Sequence, residues 1–128
     1  MSNIFGIGTD IVEISRIKKL FNNNKKFKKK IFSLNEIKYC ETRVNKISSY
    51  SKRYAAKEAF SKALGTGISK GISFNEISVN NNRKGAPSIA LTGNTKTIVK
   101  NLTKGKNQIY LSLSDEKKYA LAIVVISY

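Results

Sequence analysis

Histidine and tryptophan are missing from this 128-residue sequence, and cysteine, proline and methionine occur once each. Without histidine, Ser-His-Asp and Cys-His catalytic groups and histidine zinc sites are excluded. The single cysteine, Cys40, excludes an intramolecular disulfide and a cysteine-ligated zinc site, and it favours a reducing compartment. Any metal bound here therefore has oxygen ligands, and Mg²⁺ leads the candidates.

Long apolar runs are also lacking. No stretch approaches the roughly 18 consecutive apolar residues of a membrane span, and the N-terminal segment has no signal-peptide core. The length suits one domain over residues 1–128 with a modest core. We therefore expect a cytoplasmic protein that does not insert into a membrane.

Acidic residues are few. Eight Asp and Glu stand against 24 Lys and Arg, which gives a net charge of +16. Such an excess predicts an anionic partner, such as nucleic acid, a membrane surface, an acidic protein or a phosphorylated ligand. A compositional drift toward Lys and Asn is the alternative. A basic non-enzymatic nucleic-acid-binding domain is a competing hypothesis, although RNP-like aromatics, zinc ligands and a helix-turn-helix pattern are missing.

The hydrophobic periodicity predicts an α+β domain with an antiparallel sheet packed against a long central helix. The last strand is almost continuously apolar, which predicts a central place in the sheet. A polar loop is expected at 45–49. The predicted strands are 4–14, 72–79, 88–91, 108–114 and 119–128. The predicted helices are 16–22 (capped by Ser15), 33–42 (with a capping box at Ser33), a long helix from about 50 that is ended by the glycine-rich segment 66–73, and 92–102.

Asp10 is placed in the middle of the first strand, after the close-approach glycines Gly6 and Gly8. A carboxylate buried in a strand is costly unless it is paired or metal-bound. Two explanations stay open, namely a functional site and a carboxylate satisfied by backbone amides or a lysine. Glu13, three residues further on, is expected to face the solvent on the other side of the strand.

The long helix carries Glu58 and Lys62 four residues apart, hence on one helical face. It ends at Gly65-Thr66-Gly67. An ordinary surface ion pair with a glycine cap would give the same pattern. If Glu58 and Asp10 met, however, they would offer carboxylate oxygens to Mg²⁺, and Lys62 would contact a phosphate beside it.

The segment from Arg16 to Lys30 is dense in basic residues and contains no acid. Apolar Ile17, Leu20, Phe21 and Phe27 are interleaved with the charges. A solvated basic face is one explanation, and docking of an acidic partner helix is the other.

Two long motifs carry a family resemblance over nearly the whole chain. The first is Gly6-Ile7-Gly8-Thr9-Asp10-Ile11-Val12-Glu13-Ile14 with Arg16-Ile17, and the second is Arg53-Tyr54-Ala55-Ala56-Lys57-Glu58-Ala59 with Lys62 and Gly65-Thr66-Gly67-Ile68. With Gly85, Pro87 and Tyr119-Ala120, the sequence resembles the holo-acyl-carrier-protein synthases, the small trimeric type of 4′-phosphopantetheinyl transferase. The resemblance implies that family's fold and a homotrimer with shared active sites.

The resemblance also implies the reaction. Phosphopantetheine would pass from coenzyme A to a serine of apo-acyl-carrier protein, in support of fatty acid biosynthesis, and adenosine 3′,5′-bisphosphate would be released. Asp10 and Glu58 would hold Mg²⁺ against the pyrophosphate. Glu58, or a water that it and the metal orient, would deprotonate the serine. Lys62 would stabilise charge on the phosphates or assist the leaving group.

The same resemblance assigns the binding residues. Arg53 and Lys46 would contact coenzyme A phosphates, and Gly65 and Thr66 would shape the pocket. The acidic carrier protein would meet Arg16 and Lys26 through its carboxylates, and Leu20 and Phe27 through apolar contact. The loop bordering the adenine from a neighbouring subunit would contain Asn82, Arg83, Gly85 and Pro87.

One position departs from the family pattern. Tyr110 stands in the penultimate strand where the family usually has histidine. A tyrosine keeps a hydrogen bond but does not titrate near neutrality. A base at this position is therefore in doubt, and the carboxylate-metal mechanism is favoured.

Overall fold

A computed structural model describes residues 3–128, in which four helices follow the first strand and two strand pairs flank the last helix. The elements in chain order are β1 (Ile4–Glu13), α1 (Ile14–Asn23), α2 (Phe27–Ile31), α3 (Leu34–Glu41), α4 (Lys46–Leu64), β2 (Ile77–Asn81), β3 (Pro87–Leu91), α5 (Gly93–Leu102), β4 (Gln108–Asp115) and β5 (Tyr119–Ser127). A 3₁₀ turn over Phe74–Glu76 leads into β2.

The α+β class and the long central helix are confirmed, and the strands form two antiparallel sheets. One sheet has the order β1-β5-β4, so the apolar last strand is central as predicted. The other sheet is the hairpin β2-β3. This hairpin is fixed to α4 by side chains, because Lys57 donates to the Ile77 carbonyl and Arg53 donates to Asn81.

Helix α4 lies on the three-stranded sheet at the two glycines of β1. A Cβ atom added at Gly6 would lie 1.9 Å from the Ala63 carbonyl oxygen, and one added at Gly8 would lie 1.9 Å from that of Ala59. Only a residue without a side chain allows the two backbones this close. The alternation of a strand then turns Asp10 and the buried Val12 toward the helix as well.

The predicted first residue of α4 is wrong. The polar run 45–49 belongs to the helix, which begins at Lys46, and the Asn45 side chain accepts a hydrogen bond from the Ser48 amide. Serine is a modest helix former. Here Ser48, Ser49 and Ser51 are buried, and their hydroxyls bond within the protein, so tertiary contacts outweigh the local preference.

Other predicted ends of helices and strands also differ from the observed ones. Helix α1 begins at Ile14, and the hydroxyl of Ser15, the predicted cap, donates instead to Glu13. The predicted strand 72–79 starts only at Ile77 and continues through Asn81. Helix α2 was not predicted within the basic run, where its buried face is Phe27 and Ile31. Among the helices of residues 3–128, none has both the length and the apolar character that a membrane crossing requires.

Candidate active site

Asp10 meets the end of α4 on the inner side of β1. Its Oδ1 lies 3.0 Å from the Lys62 Nζ, and the same ammonium donates to the Thr9 carbonyl oxygen at 3.1 Å. The Asp10 side chain is 17 % exposed, whereas that of Lys62 is 53 % exposed. A lysine therefore satisfies this strand carboxylate, and the ion pair opens to the surface.

Glu58 belongs to the same neighbourhood through Tyr54. The Tyr54 Oη donates to the Glu58 Oε1 at 3.4 Å across one helical turn. Burial raises the pKa of Tyr54, the Glu58 and Asp10 carboxylates raise it further, and the Arg16 guanidinium lowers it. Two carboxylates and a guanidinium from β1, α4 and α1 thus act on a single phenol.

The metal-binding capacity of this region is limited to carboxylate oxygens. Within residues 3–128, no group of three or more His, Cys, Asp or Glu side chains is placed to hold a metal ion. Asp10 and Glu58 therefore form at most an incomplete site, whose remaining ligands would be water or substrate oxygens. Such a partial oxygen site fits Mg²⁺, which usually keeps several non-protein ligands.

The glycine-rich exit of α4 follows directly after Lys62. Gly65 caps the helix with φ of 82°, a left-handed conformation that favours glycine. The Thr66 hydroxyl is turned inward on the loop and donates to the Gly67 carbonyl at 2.8 Å. Gly65 and Thr66 therefore shape the surface beside the ion pair of Lys62 and Asp10.

A separate cavity of about 360 Å³ lies at the other end of α4. It brings together Arg53, Gly85 and Pro87, three residues predicted to contact coenzyme A. Its wall also includes Tyr39, Arg43, Val44, Asn45, Ser48, Ser49, Lys52, Asn81, Leu113 and Asp115.

Arg53 is the buried cation of this cavity, with 2 % of its surface exposed. Its guanidinium donates to Ser49 and Asn81, and it lies 4.3 Å from the centre of the Tyr39 ring. Its Nε is the only buried side-chain nitrogen or oxygen among residues 3–128 that has no hydrogen-bond partner. A buried arginine without a carboxylate is costly, which makes it a candidate anion-binding group.

The predicted coenzyme A residues consequently divide between two sides of α4. Lys62 follows Arg53 by nine positions on α4, which is about two and a half helical turns. Their side chains therefore point to opposite sides of the helix. Arg53 contacts β2, whereas Lys62 contacts β1. Within one chain, the two cations therefore do not face the same space.

Lys46, Asn82 and Arg83 are outside the wall of the cavity. The Lys46 ammonium lies 3.3 Å from a Glu41 oxygen. A hydrogen bond from Tyr50 and ion pairs with Lys28 and Lys46 hold the pKa of Glu41 at about 2. Asn82 organises the β2-β3 turn by accepting from the Lys84 and Ala86 amides, and Arg83 is exposed on this turn.

The predicted docking residues differ in exposure. Arg16 and Lys26 are exposed and Leu20 is half-buried. Phe27 is only 8 % exposed, so its ring has little free surface for the predicted contact with a partner. Its ring belongs to an aromatic cluster with Phe21, Phe32 and Tyr54, because α2 packs against α1 and the 3₁₀ turn beside α4.

Tyr110 lies on the other face of the three-stranded sheet. It pairs with Val125, which pairs with Ile7, so all three alternate away from the face that carries Asp10. Its side chain is 54 % exposed, and its hydroxyl donates to Gln108 at 2.5 Å. Tyr110 is thus directed away from the ion pair of Asp10 and Lys62 in its own chain.

Several residues at both places were not singled out from the sequence. Tyr54 stands four before Glu58 on α4, so helical spacing was an available signal there. The contact of Arg43 with Tyr39 had no such signal, because Arg43 lies beyond the end of α3 at Glu41. Asn81 and Asp115 gave no local signal. They reach the cavity only because β2 and β4 end beside α4.

Comparisons with known proteins agree with this architecture. Residues 6–124 match the family model of the 4′-phosphopantetheinyl transferase superfamily. A holo-[acyl-carrier-protein] synthase of Pelagibacter ubique is 48% identical over 124 residues, which is 96% of this chain and 96% of that one. The corresponding protein of Vibrio campbellii is 46% identical over 95% of this chain and 96% of its own.

Solved structures show the same fold. A holo-[acyl-carrier-protein] synthase from Neisseria meningitidis is similar with a TM-score of 0.85 and 34% identity, covering 97% of this chain and 98% of that one. One from Bacillus anthracis, solved in complex with CoA (3′,5′-ADP), has a TM-score of 0.80 and 35% identity over 97% and 96% of the two chains. The chain therefore belongs to the 4′-phosphopantetheinyl transferase superfamily, among the holo-acyl-carrier-protein synthases.

Proposed function

We propose that this chain transfers 4′-phosphopantetheine from coenzyme A to a serine of apo-acyl-carrier protein, in support of fatty acid biosynthesis. The observation that carries the proposal is the ion pair of Asp10 with Lys62, beside the Tyr54 phenol that Glu58 accepts from and that both carboxylates act on. The serine oxygen forms a bond to the phosphorus that bears pantetheine. The bond from that phosphorus to the bridging oxygen breaks, and adenosine 3′,5′-bisphosphate leaves.

Three residues of the chain have separate roles in this reaction. The Glu58 carboxylate accepts the serine proton as general base. Lys62, at the surface beside Asp10, stabilises negative charge on the diphosphate and on the leaving phosphate. Asp10 and Glu58 are the residues that would hold Mg²⁺, which when bound neutralises charge on the diphosphate.

Coenzyme A is proposed to reach from this site to the Arg53 cavity of a neighbouring subunit. The buried guanidinium, with its unpartnered Nε, suits a phosphate, and the cavity volume of about 360 Å³ is in the range of small-ligand sites. Gly85 and Pro87 border the same space. Lys46, Asn82 and Arg83 lie outside the wall of this cavity, and they are proposed to contact coenzyme A as well.

The docking surface for the carrier protein is proposed on α1 and the turn before α2. Arg16 and Lys26 are exposed there, and Leu20 supplies apolar contact. Arg16 also acts on the Tyr54 phenol beside Glu58. A partner bound to Arg16 through its carboxylates would therefore bring its serine close to the proposed general base.

A homotrimer with shared active sites is part of the proposal. Because Arg53 and Lys62 point to opposite sides of α4, a ligand that contacts both is best placed between two subunits. The outer face of the sheet, with Ile7 68 % exposed and Ile11 61 % exposed, is the surface proposed to join the subunits. Tyr110 belongs to this face, so it would approach a site of a neighbouring subunit.

The test is mass spectrometry of apo-acyl-carrier protein after incubation with this protein, coenzyme A and Mg²⁺. We expect the mass of one phosphopantetheine to be added. Asp10→Asn and Glu58→Gln should lower kcat by at least about a hundredfold, as loss of a catalytic base or charge-stabilising group does. Glu116→Gln, at the exposed β4-β5 turn, is the matched carboxylate control and should retain activity.

Full activity of Asp10→Asn or Glu58→Gln would contradict the assigned site. Absence of transfer by the wild-type protein, together with tight, sequence-selective binding of DNA or RNA, would instead favour the competing hypothesis of a nucleic-acid binder.

A further inference from the structure

The Asp10 carboxylate, assigned to Mg²⁺ in the proposed function, already holds a cation of the chain itself. The Lys62 Nζ lies 3.0 Å from the Asp10 Oδ1 and 3.1 Å from the Thr9 carbonyl oxygen. Both acceptors belong to β1, so the lysine reaches across from the last turn of α4 to the strand. Its ammonium therefore neutralises the carboxylate on which the metal would depend.

Glu58, the other carboxylate assigned to Mg²⁺, has no such partner. It accepts a hydrogen bond from the Tyr54 hydroxyl at 3.4 Å, and no salt bridge within residues 3–128 involves it. The two carboxylates thus differ, because only Asp10 has to give up a cation before a second cation gains its full charge.

The Lys62 side chain is the member of the ion pair that is free to move. It is 53 % exposed, and its charge stands at the end of a flexible four-carbon stem, so the ammonium can leave Asp10 while α4 and β1 stay in place. Asp10 is 17 % exposed and is held in the sheet by its pairing with Ala122. An exchange of cations at Asp10 therefore needs only a change of one surface side chain.

We propose that Lys62 competes with a divalent metal for Asp10 in the free chain, and that a bound diphosphate draws Lys62 away and so opens this carboxylate to the metal. The ammonium and the metal repel each other, so only one of them gains the full attraction of Asp10. Metal and diphosphate are thereby coupled through the lysine, in addition to any direct contact between them. The inference rests on the proposed function for the places of the metal and the diphosphate.

Isothermal titration of the full chain with Mn²⁺ alone, an ion that takes the same oxygen ligands as Mg²⁺, tests the competition. Lys62→Met removes the competing charge and keeps an unbranched side chain. It should lower the Kd for Mn²⁺ about tenfold, which is the size of the repulsion between an ammonium and a divalent ion about 5 Å apart near water.

Two further variants control for charge in this titration. Lys62→Arg keeps the positive charge beside Asp10 and should bind Mn²⁺ as the wild type does. Lys96→Met, at an exposed lysine of α5, removes one positive charge elsewhere on the surface and should leave the Kd for Mn²⁺ unchanged.

Titration with coenzyme A in the presence of EDTA tests the movement of the lysine to the diphosphate. Asp10→Asn releases Lys62, so it should lower the Kd for coenzyme A about tenfold, the effect of one charge-assisted hydrogen bond, although its kcat falls. Glu58→Gln removes a charge of the same sign without releasing the lysine and should lower this Kd less. In a Lys62→Met chain, the gain from Asp10→Asn should shrink to that of Glu58→Gln.

A Kd for Mn²⁺ that is unchanged or higher in Lys62→Met would overturn the competition, as would binding of Mn²⁺ that is undetectable in both chains. Equal gains from Asp10→Asn with and without Lys62 would overturn the movement of the lysine to the diphosphate. The Mn²⁺ titration uses neither coenzyme A nor carrier protein. Tighter binding of Mn²⁺ by Lys62→Met would therefore support the competition even if phosphopantetheine transfer were not observed.

Discussion

At the scale of single residues, Tyr54 connects packing with chemistry. Its ring packs between Phe27 at 6.2 Å and Phe74 at 5.7 Å between ring centres, and its hydroxyl reaches Glu58. The aromatic contacts fix the ring, and the ring fixes where the hydroxyl can donate. A partly buried residue packed against the core therefore orients the carboxylate assigned as general base.

Tyr54→Phe removes only this hydroxyl. We expect kcat for carrier loading to fall about three- to tenfold, the effect of one modest hydrogen bond, with the KM for coenzyme A unchanged. Tyr128→Phe, which removes a hydroxyl from a half-exposed ring at the C-terminus, is the matched control. Unchanged kcat in Tyr54→Phe would show that Glu58 needs no such positioning.

At the scale of elements, a buried ion pair joins α3, α4 and β2. The Lys57 ammonium lies 2.6 Å from the Glu36 Oε1 and also donates to the Phe74 and Ile77 carbonyls, while both residues are fully buried. Glu36 in turn accepts from the Ser33 and Val79 amides. Each partner is thus satisfied, and the pair specifies how these elements meet next to Glu58.

Lys57→Met should lower the free energy of unfolding by about 3–5 kcal/mol, because it leaves a buried carboxylate without its cation. Lys57→Met combined with Glu36→Gln removes both charges and should cost less than Lys57→Met alone. Urea unfolding followed by circular dichroism measures both. A double variant less stable than Lys57→Met would contradict this account.

Helix α5 depends on an acid from outside the helix. Its first residues have no side-chain cap of their own, and Glu76 accepts hydrogen bonds from the Asn94 and Thr95 amides and from the Thr95 hydroxyl. The Thr95 hydroxyl, with both amides, lowers the pKa of Glu76 below its ordinary value. The folded state thus favours the charged form.

Glu76→Gln should lower stability at pH 7 by about 0.5–2 kcal/mol, the usual worth of a helix cap. The contribution is complete above the unfolded-state pKa of glutamate, about 4.3, and is lost as pH falls through the lower folded-state value. The stability difference between wild type and variant should therefore shrink in urea titrations at pH 3. A difference that stays constant with pH would refute the charge-dependent cap.

At the scale of the whole molecule, apolar residues remain exposed on the outer face of the three-stranded sheet. Ile7, Ile11 and Ile123 alternate with the residues that contact α4. This face is the one proposed to join subunits, and in that proposal a neighbouring subunit completes the site because Arg53 and Lys62 lie on opposite sides of α4.

Ile123→Lys places a charge in the middle of this face and should convert trimers to monomers with little carrier loading. Leu102→Lys is the control, because Leu102 is 43 % exposed and Ile123 is 40 % exposed, but Leu102 lies on α5. Sedimentation velocity measures the oligomeric state of both variants, and the loading assay measures their activity. An active monomeric wild type would exclude shared sites.

Local patterns predicted a large part of this molecule. The first strand and the close approach of its glycines Gly6 and Gly8 were predicted, and the predicted capping box at Ser33 is formed. The apolar last strand was correctly assigned to the centre of the sheet. The serine-rich start of α4 was wrong, because buried hydroxyl contacts decide that segment.

The sequence by itself determined the fold class and the residues of both motifs, and it excluded histidine-ligated and cysteine-ligated zinc sites, since these depend on composition and short periodicities. Only the tertiary structure decided which side chains meet. Phe27 became part of the core, Lys57 found Glu36, and Arg43 joined Arg53 at one ring, because contacts between distant segments depend on how α3, β2 and β4 pack around α4 and leave no local periodicity.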